Sequence, residues 1–302
     1  PYIDGKPAHV DRDTFFGTEG DFEKTKVNVT TLRLDHEWSD SLSLRSTLRY
    51  SHVDRAAAPT GPRPCVAGTA QCLLATMDGI RRGRPERDAV ETILSHQTDV
   101  TTRFQTGALA HTLTTGLELS RETFDLTRFN NSGPFSIGLD PDAIDTNVLP
   151  VPRTRSARSK TTALGVGVFP ADTIELTRQL DLVLGLRWDT FNTRFEDELP
   201  RAGGTTGPDF KNKDRNLSYR VGLVLKPTPT QSYYVSYGTS FNPSAESLSL
   251  SMENEGTDPE KNRSLELGAK LALLEGSLNL QGAVFQIDKT DARETGPVQG
   301  LA

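Results

Sequence analysis

No stretch of this sequence is long and apolar enough to cross a bilayer as a helix. The longest uninterrupted apolar runs are four residues, such as Leu271 to Leu274, against the roughly 20 that such a span requires. A helical membrane protein is therefore excluded. Surplus positive charge is absent too: 34 Lys and Arg stand against 40 Asp and Glu, a net charge of −6, so nothing drives binding to nucleic acid. The five histidines, His9, His36, His52, His96 and His111, show no metal-ligand spacing, and no His-Glu-x-x-His occurs. No nucleophile with a base beside it stands out, so the chain reads as a non-enzyme with no metal and no cofactor of its own. Apolar material is scarce, at 35% of residues, yet 25 Gly, 18 Pro and 25% charged residues suit a folded chain. Three classes remain: a soluble domain pair, a β-solenoid, or a membrane β-barrel, whose lipid-facing residues alternate with polar ones and leave average hydropathy low.

Cysteine is nearly absent. Cys65 and Cys72 are seven apart in a stretch that opens on Gly61-Pro62-Arg63-Pro64, a setting that suits a surface loop, where a disulfide would remove about 2–3 kcal/mol of chain entropy from the unfolded state and imply an oxidising compartment; the alternative is two unpaired small residues. The opening Pro1-Tyr2-Ile3-Asp4 has neither initiator Met nor a basic-then-apolar leader, which points to a chain that begins after processing or inside a longer protein.

What the sequence does have is alternation. From 41 to 52 the even positions read Leu42, Leu44, Ser46, Leu48, Tyr50, His52 and the odd ones Ser41, Ser43, Arg45, Thr47, Arg49, Ser51. A period of two places one apolar and one polar face on a strand. The pattern returns around Leu182 to Trp188, Leu217 to Leu225 and Leu265 to Leu273. Weaker copies lie around Leu34, Phe104, Leu117, Val166, Val235 and Leu280, giving ten expected strands. Their connections alternate. Tight turns are expected at 39–40, 107–110, 177–179, 227–231 and 275–276, and long polar connections at 55–91, 130–158, 197–213 and 243–261. A soluble sandwich has no reason to gather long loops at one end and short turns at the other, whereas an outer-membrane barrel does. Trp38 and Tyr233 beside short turns, and Trp188 toward the far end of its strand, fit interfacial girdles. Residues of the opposite parity, including Arg33, Asp35, Arg45, Glu118, Arg187, Asp189, Glu266 and Lys270, would face a wet or plug-filled lumen, because unpaired charges are too costly for a dry core. The Gly165-x-Gly167 pair lies within a strand with no helix after it, so it reads as small lumen-facing residues, not a dinucleotide fingerprint.

Two loops carry clustered cations: Arg81, Arg82, Arg84 and Arg87, then Arg153, Arg155, Arg158 and Lys160. At a barrel mouth these would attract an anionic ligand, with aromatics such as Phe129 and Phe135 able to stack on its rings. Solubilising loop charge is the competing reading. The resulting ligand candidates are Arg81, Arg82, Arg84, Arg153, Arg155 and Phe135.

With Ser232-Tyr233-Tyr234-Val235-Ser236-Tyr237-Gly238-Thr239-Ser240-Phe241-Asn242-Pro243, Asp258-Pro259-Glu260-Lys261 leading to Leu265-Glu266-Leu267-Gly268-Ala269-Lys270, and Leu184-Gly185-Leu186-Arg187-Trp188-Asp189, the chain resembles TonB-dependent outer-membrane siderophore receptors over nearly its whole length. The cysteine-bearing loop and the Phe241-Asn242-Pro243-Ser244-Ala245-Glu246 stretch are similar to the ferric-catecholate branch. The resemblance implies an all-β fold: an antiparallel transmembrane barrel segment of about ten strands out of 22, with long extracellular loops and short periplasmic turns. Residues 1–302 would be a partial barrel domain, and the plug and TonB box are not found in this sequence. It further implies a bacterial outer-membrane location, a ferric siderophore as transported ligand, contact with outer-membrane lipid, and coupling to TonB, ExbB and ExbD through the plug. A passive porin without energy coupling is the alternative function.

Overall fold

Alternation sustained over so many residues, with Gly, Pro, Asp and Ser gathered between the runs, favours long antiparallel strands joined in sequence order. The computed structural model describes residues 2–3, 6–7, 13, 15–63, 79–130, 136–138, 153–198, 209–243 and 258–291. Its main feature is a ten-stranded sheet: β1 (Phe22–Ser39), β2 (Leu42–Ala58), β3 (Glu86–Thr106), β4 (Leu109–Asn130), β5 (Thr154–Thr177), β6 (Leu180–Asp197), β7 (Phe210–Thr228), β8 (Gln231–Asn242), β9 (Glu260–Leu273) and β10 (Leu278–Thr290). Every strand pairs with its neighbours in sequence, so the sheet is an up-and-down meander. Turns at 40–41, 107–108, 178–179, 229–230 and 274–277 close one end, and connections at 59–85, 131–153, 198–209 and 243–259 emerge from the other. We call these the turn end and the loop end. Each long connection is shorter than hydropathy suggests, because the strands run on past the apolar positions. In β3, for example, the ladder with β4 continues from Thr106↔Leu109 without a break to Glu86↔Phe129.

Register fixes the faces. In β6 and β7 the pairs Leu182↔Leu223, Leu184↔Val221, Leu186↔Tyr219 and Trp188↔Leu217 stack apolar residues in rows, and the same parity carries Leu113, Leu117 and Leu119 in β4 opposite Asp172, Val168 and Val166 in β5. This apolar face is uncovered: Leu217 is 59% exposed and Trp188 43%. Buried hydrophobic residues among those described are Ala57, Ala58, Ala89, Ala163 and Phe210 only, so no packed interior covers either side. A soluble protein does not leave a contiguous apolar face of this extent in water.

The sheet has two further features. Its outer strands, β1 and β10, each pair on one side only. And β7 and β8 part company midway: their ladder runs from Thr228↔Gln231 to Arg220↔Gly238, although β7 stays paired with β6 up to Phe210 and β8 with β9 up to Asn242↔Glu260. Where they separate, the Tyr219 backbone N–H donates to the Thr239 hydroxyl at 3.1 Å in place of a ladder bond. Above that point lies a cleft of about 530 Å³ whose lining includes Lys213, Arg215, Asn216, Asp258 and Lys261.

Candidate functional site

The polar face is organised by ion pairs across strands. Near the turn end, Asp35 receives Arg33 Nε at 2.6 Å and Arg45 Nε at 2.8 Å. At mid-height, Arg187 reaches over β5 to Glu118 of β4 at 2.9 Å while its own-strand neighbour Asp189 lies at 2.7 Å. Register explains why the reach is possible: Gly167 sits between Glu118 and Asp189 in one cross-strand row, and a Cβ built there would lie 2.3 Å from Arg187 Nη2. Glycine leaves the space the guanidinium occupies, as expected of small residues on this face. Phe169 lies across Gly116 in the same manner, and Arg187 stacks toward its ring at 5.4 Å. Nearer the loop end, burial and then the charge of Glu91 raise the Glu122 carboxyl above its ordinary value. Glu122 lies beyond the apolar band, since the next apolar-face residue after Leu119 in β4 is Arg121. Neither Glu122 nor the Arg187 network stood out from the sequence, because their partners are distant along the chain.

At the loop end the cations expected to meet a ligand fall into three settings. Arg84 is part of a latch: its side chain, 11% exposed, donates to Thr18 Oγ1 at 3.1 Å, Asp21 Oδ1 at 3.3 Å and the Gly20 carbonyl at 2.7 Å. Asp21 also accepts from the Thr60 N–H at 2.9 Å and hydroxyl at 2.6 Å, and from the Thr18 hydroxyl at 2.8 Å. Three separate segments are thus tied at one carboxylate. Burial alone would raise the Asp21 carboxyl, but the bonds from Thr60 and Thr18 outweigh it and hold the group below its ordinary value. A carboxylate with a lowered folded value contributes stability that is present above its unfolded value and is lost as pH falls through the folded one. We therefore expect hydrogen-exchange protection of the Thr18 and Thr60 amides, corrected for intrinsic rates, to hold above about pH 4 and to fall below it. Protection that does not change with pH would show that the carboxylate is not what ties these segments.

Arg81 and Arg82 lie on the strand Gly79–Gly83, which pairs with Gly61–Arg63 on one side and Ser136–Gly138 on the other. Pro62↔Arg82, Arg63↔Arg81 and Arg81↔Ser136 are in register, so this small sheet joins the 59–85 and 131–153 connections and carries Arg63, Arg81 and Arg82 on its strands. Arg153 and Arg155 belong elsewhere. Arg153 pairs with Glu86 at 2.5 Å and Asp88 at 2.8 Å and stacks 3.6 Å from the Phe129 ring, and Arg155 opposes Phe129. Both lie on the parity of the apolar face, on its outer flank at the loop end. Phe135, Cys65 and Cys72 lie outside the described residues.

Among the described residues no group of three or more His, Cys, Asp or Glu could hold a metal ion, and no helix is long and apolar enough to cross a membrane, which says nothing of strands. The geometry is that of a curtain wall with an apolar outside, a charged and hydrogen-bonded inside, and basic loops at one end.

Comparison with known proteins gives the same picture. The family model for the TonB dependent receptor-like β-barrel matches residues 2–301. Among curated proteins, the chain is 28% identical over 96% of its length to a probable TonB-dependent siderophore receptor, PiuA, of Acinetobacter baumannii. It is 26% identical over 92% of its length to the catecholate siderophore receptor Fiu of Escherichia coli K12. It covers 41% and 40% of those proteins, so the chain spans about two fifths of the relatives it matches. Among solved structures, the open form of the ferric-catecholate import receptor Fiu from E. coli K12 superposes with a TM-score of 0.78 at 24% identity, over 93% of this chain and 43% of that one. The siderophore receptor PiuA of A. baumannii superposes with a TM-score of 0.74 at 26% identity, again over 93% and 43%.

Proposed function

Because the chain belongs to the TonB-dependent receptor-like β-barrel family, we propose that it forms part of the wall and loop-end mouth of an outer-membrane receptor that takes up a ferric siderophore, with uptake energised through TonB. The observation that carries this reading is the face arrangement joined to the loop arrangement: an uncovered apolar face for lipid, a charged face for a filled lumen, and a small arginine-bearing sheet built from the loop-end connections. A ferric catecholate complex is anionic and aromatic, so arginines gathered by backbone pairing suit it through charge and ring stacking. The similarity to the catecholate siderophore receptor Fiu favours catecholate over other siderophore chemistries. The TonB, ExbB and ExbD partners would act through the plug of the full-length receptor.

In this reading Arg81 and Arg82, with Phe135 nearby in sequence, are the ligand-contacting candidates. Arg84 acts on the ligand only by holding the loops through Asp21. Arg153 and Arg155, on the outer flank, lie off the ligand path. The test is equilibrium binding of a ferric catecholate siderophore to the full-length receptor. Changing Arg81 and Arg82 together to Ala is expected to weaken binding about tenfold, the loss of one charge-assisted contact, because neighbours on a strand project to opposite faces and the double change removes whichever one meets the ligand; changing Arg155 to Ala should leave it unchanged. Equal affinity for the Arg81/Arg82 variant and the wild type would remove this sheet from the site.

A further inference from the structure

The apolar face is not symmetric between its two ends. Moving toward the loop end, the run Leu225, Leu223, Val221, Tyr219, Leu217 on β7 gives way at once to Arg215, Lys213 and Lys211 on the same parity. The neighbouring strands agree: Arg121 follows Leu119 on β4, and Arg263 follows Leu265 on β9. On β6 the first charge past Trp188 on that parity is Arg194, and on β5 the first past Leu164 is Lys160. At the turn end the same face carries Trp38, Phe104, His111, Leu225 and Tyr233, without a Lys or Arg on a strand position.

The cations are densest on β6 and β7. Arg194 stands directly opposite Lys211, a like-charge pairing that costs stability unless anions offset it. Glu196 and Asp209 offset Arg194, at 2.9 and 3.5 Å. Lys211, Lys213 and Arg215 are exposed on alternate positions, and among the described residues none has an ion-pair partner. They stand beside the cleft opened where β7 and β8 separate, which Lys213, Arg215 and Lys261 line together with Asp214 and Asp258; Lys261 also meets Asp291 at 3.7 Å. Below the cleft lie the rings of Tyr219 and Tyr237, 6.0 Å apart, at the level where amphipathic rings meet headgroups.

We propose that this patch is a lipid-binding site: Lys211, Lys213 and Arg215, with Lys261 across the cleft, bind the phosphate groups of a phosphorylated lipid in the leaflet at the loop end. A monoester phosphate presents several acceptor oxygens and up to two negative charges, which matches three exposed cations two residues apart on one strand. Basic residues immediately beyond an apolar band attract anionic headgroups, and the absence of such residues on the turn-end strand positions assigns the preference to one leaflet. The inference rests on the reading of the chain as part of a membrane barrel wall.

The test uses the full-length receptor, purified in mild detergent, and its triple variant Lys211→Gln/Lys213→Gln/Arg215→Gln. Heat-modifiable migration on gels is recorded first; if the wild type lacks it, the barrel reading itself fails, and this proposal with it. For a receptor that passes, native mass spectrometry measures retention of bis-phosphorylated lipid A and of its dephosphorylated form. Wild type should retain the phosphorylated lipid at least about tenfold more than the dephosphorylated one. The triple variant should lose that preference while keeping its heat-modifiable migration and its ferric siderophore binding. Added inorganic phosphate at millimolar level should not displace the lipid. Equal retention by wild type and variant, equal retention of the two lipids, or displacement by free phosphate would each overturn the lipid site.

Discussion

Leu184→Arg in the full-length receptor should lower the stability of the folded barrel by about 2–4 kcal/mol, the cost of a cation on the lipid face near mid-bilayer. The adjacent Val183→Arg should cost much less. Leu184 lies in the middle of the apolar rows of β6, between Leu182 and Leu186, and opposes Val221 and Asp172. Val183 points to the other face, where its ladder partners are Thr173 and Gly222 and where Arg187, Glu118 and Asp189 already form a network. The pair of substitutions differs by one residue in sequence and by the whole sheet in environment. Unfolding by denaturant in lipid vesicles reads the difference. Equal costs at 183 and 184 would mean that the apolar face does not meet lipid.

The second large effect concerns the chain by itself. Expressed without further strands, it should fail to give a monomeric, heat-resistant barrel in detergent or vesicles and should aggregate instead. The cause is its two open edges. β1 has 18 residues and β10 has 13, and on each about half of the backbone N–H and C=O groups point away from the single neighbouring strand. Each such group left without a partner in hydrocarbon costs several kcal/mol, far more than the sheet can offset, and the edges are templates for pairing with other copies. Size-exclusion chromatography of refolded material decides between the outcomes: void-volume aggregate is expected, and a monodisperse, protease-resistant monomer would contradict this view of the edges.

The wall was legible in the sequence where one face is apolar and the other is not. Leu42, Leu44, Leu48 and Tyr50 mark β2 plainly, and all ten expected strands are present. Their loop-end halves were not legible, because there both faces are polar. The pairs Asp88↔Thr127 and Glu86↔Phe129 extend the β3–β4 ladder with no hydropathy signal, and only the backbone bonds carry it. Long-range polar bonding was likewise invisible. Nothing near Arg84 in the sequence announces that it spends its hydrogen bonds on Asp21, 63 residues earlier, or that Arg153 is neutralised by Glu86 and Asp88. The separation of β7 from β8 has no counterpart in the alternation, which continues through Leu217 and Arg215 as though the ladder did too. Sequence reading thus gave two arginine clusters equal standing, whereas the fold puts Arg81 and Arg82 on a small sheet within the loop-end connections, Arg84 in the latch, and Arg153 and Arg155 on the outer flank.

Energy-coupled uptake of a ferric siderophore is tested by the entry of radiolabelled iron, presented as a ferric catecholate, into cells expressing the full-length receptor with and without a functional TonB. We expect saturable uptake that requires the receptor and is abolished without TonB, while binding of the complex at the cell surface persists. Uptake that continues unchanged without TonB would contradict it and would favour a passive pore.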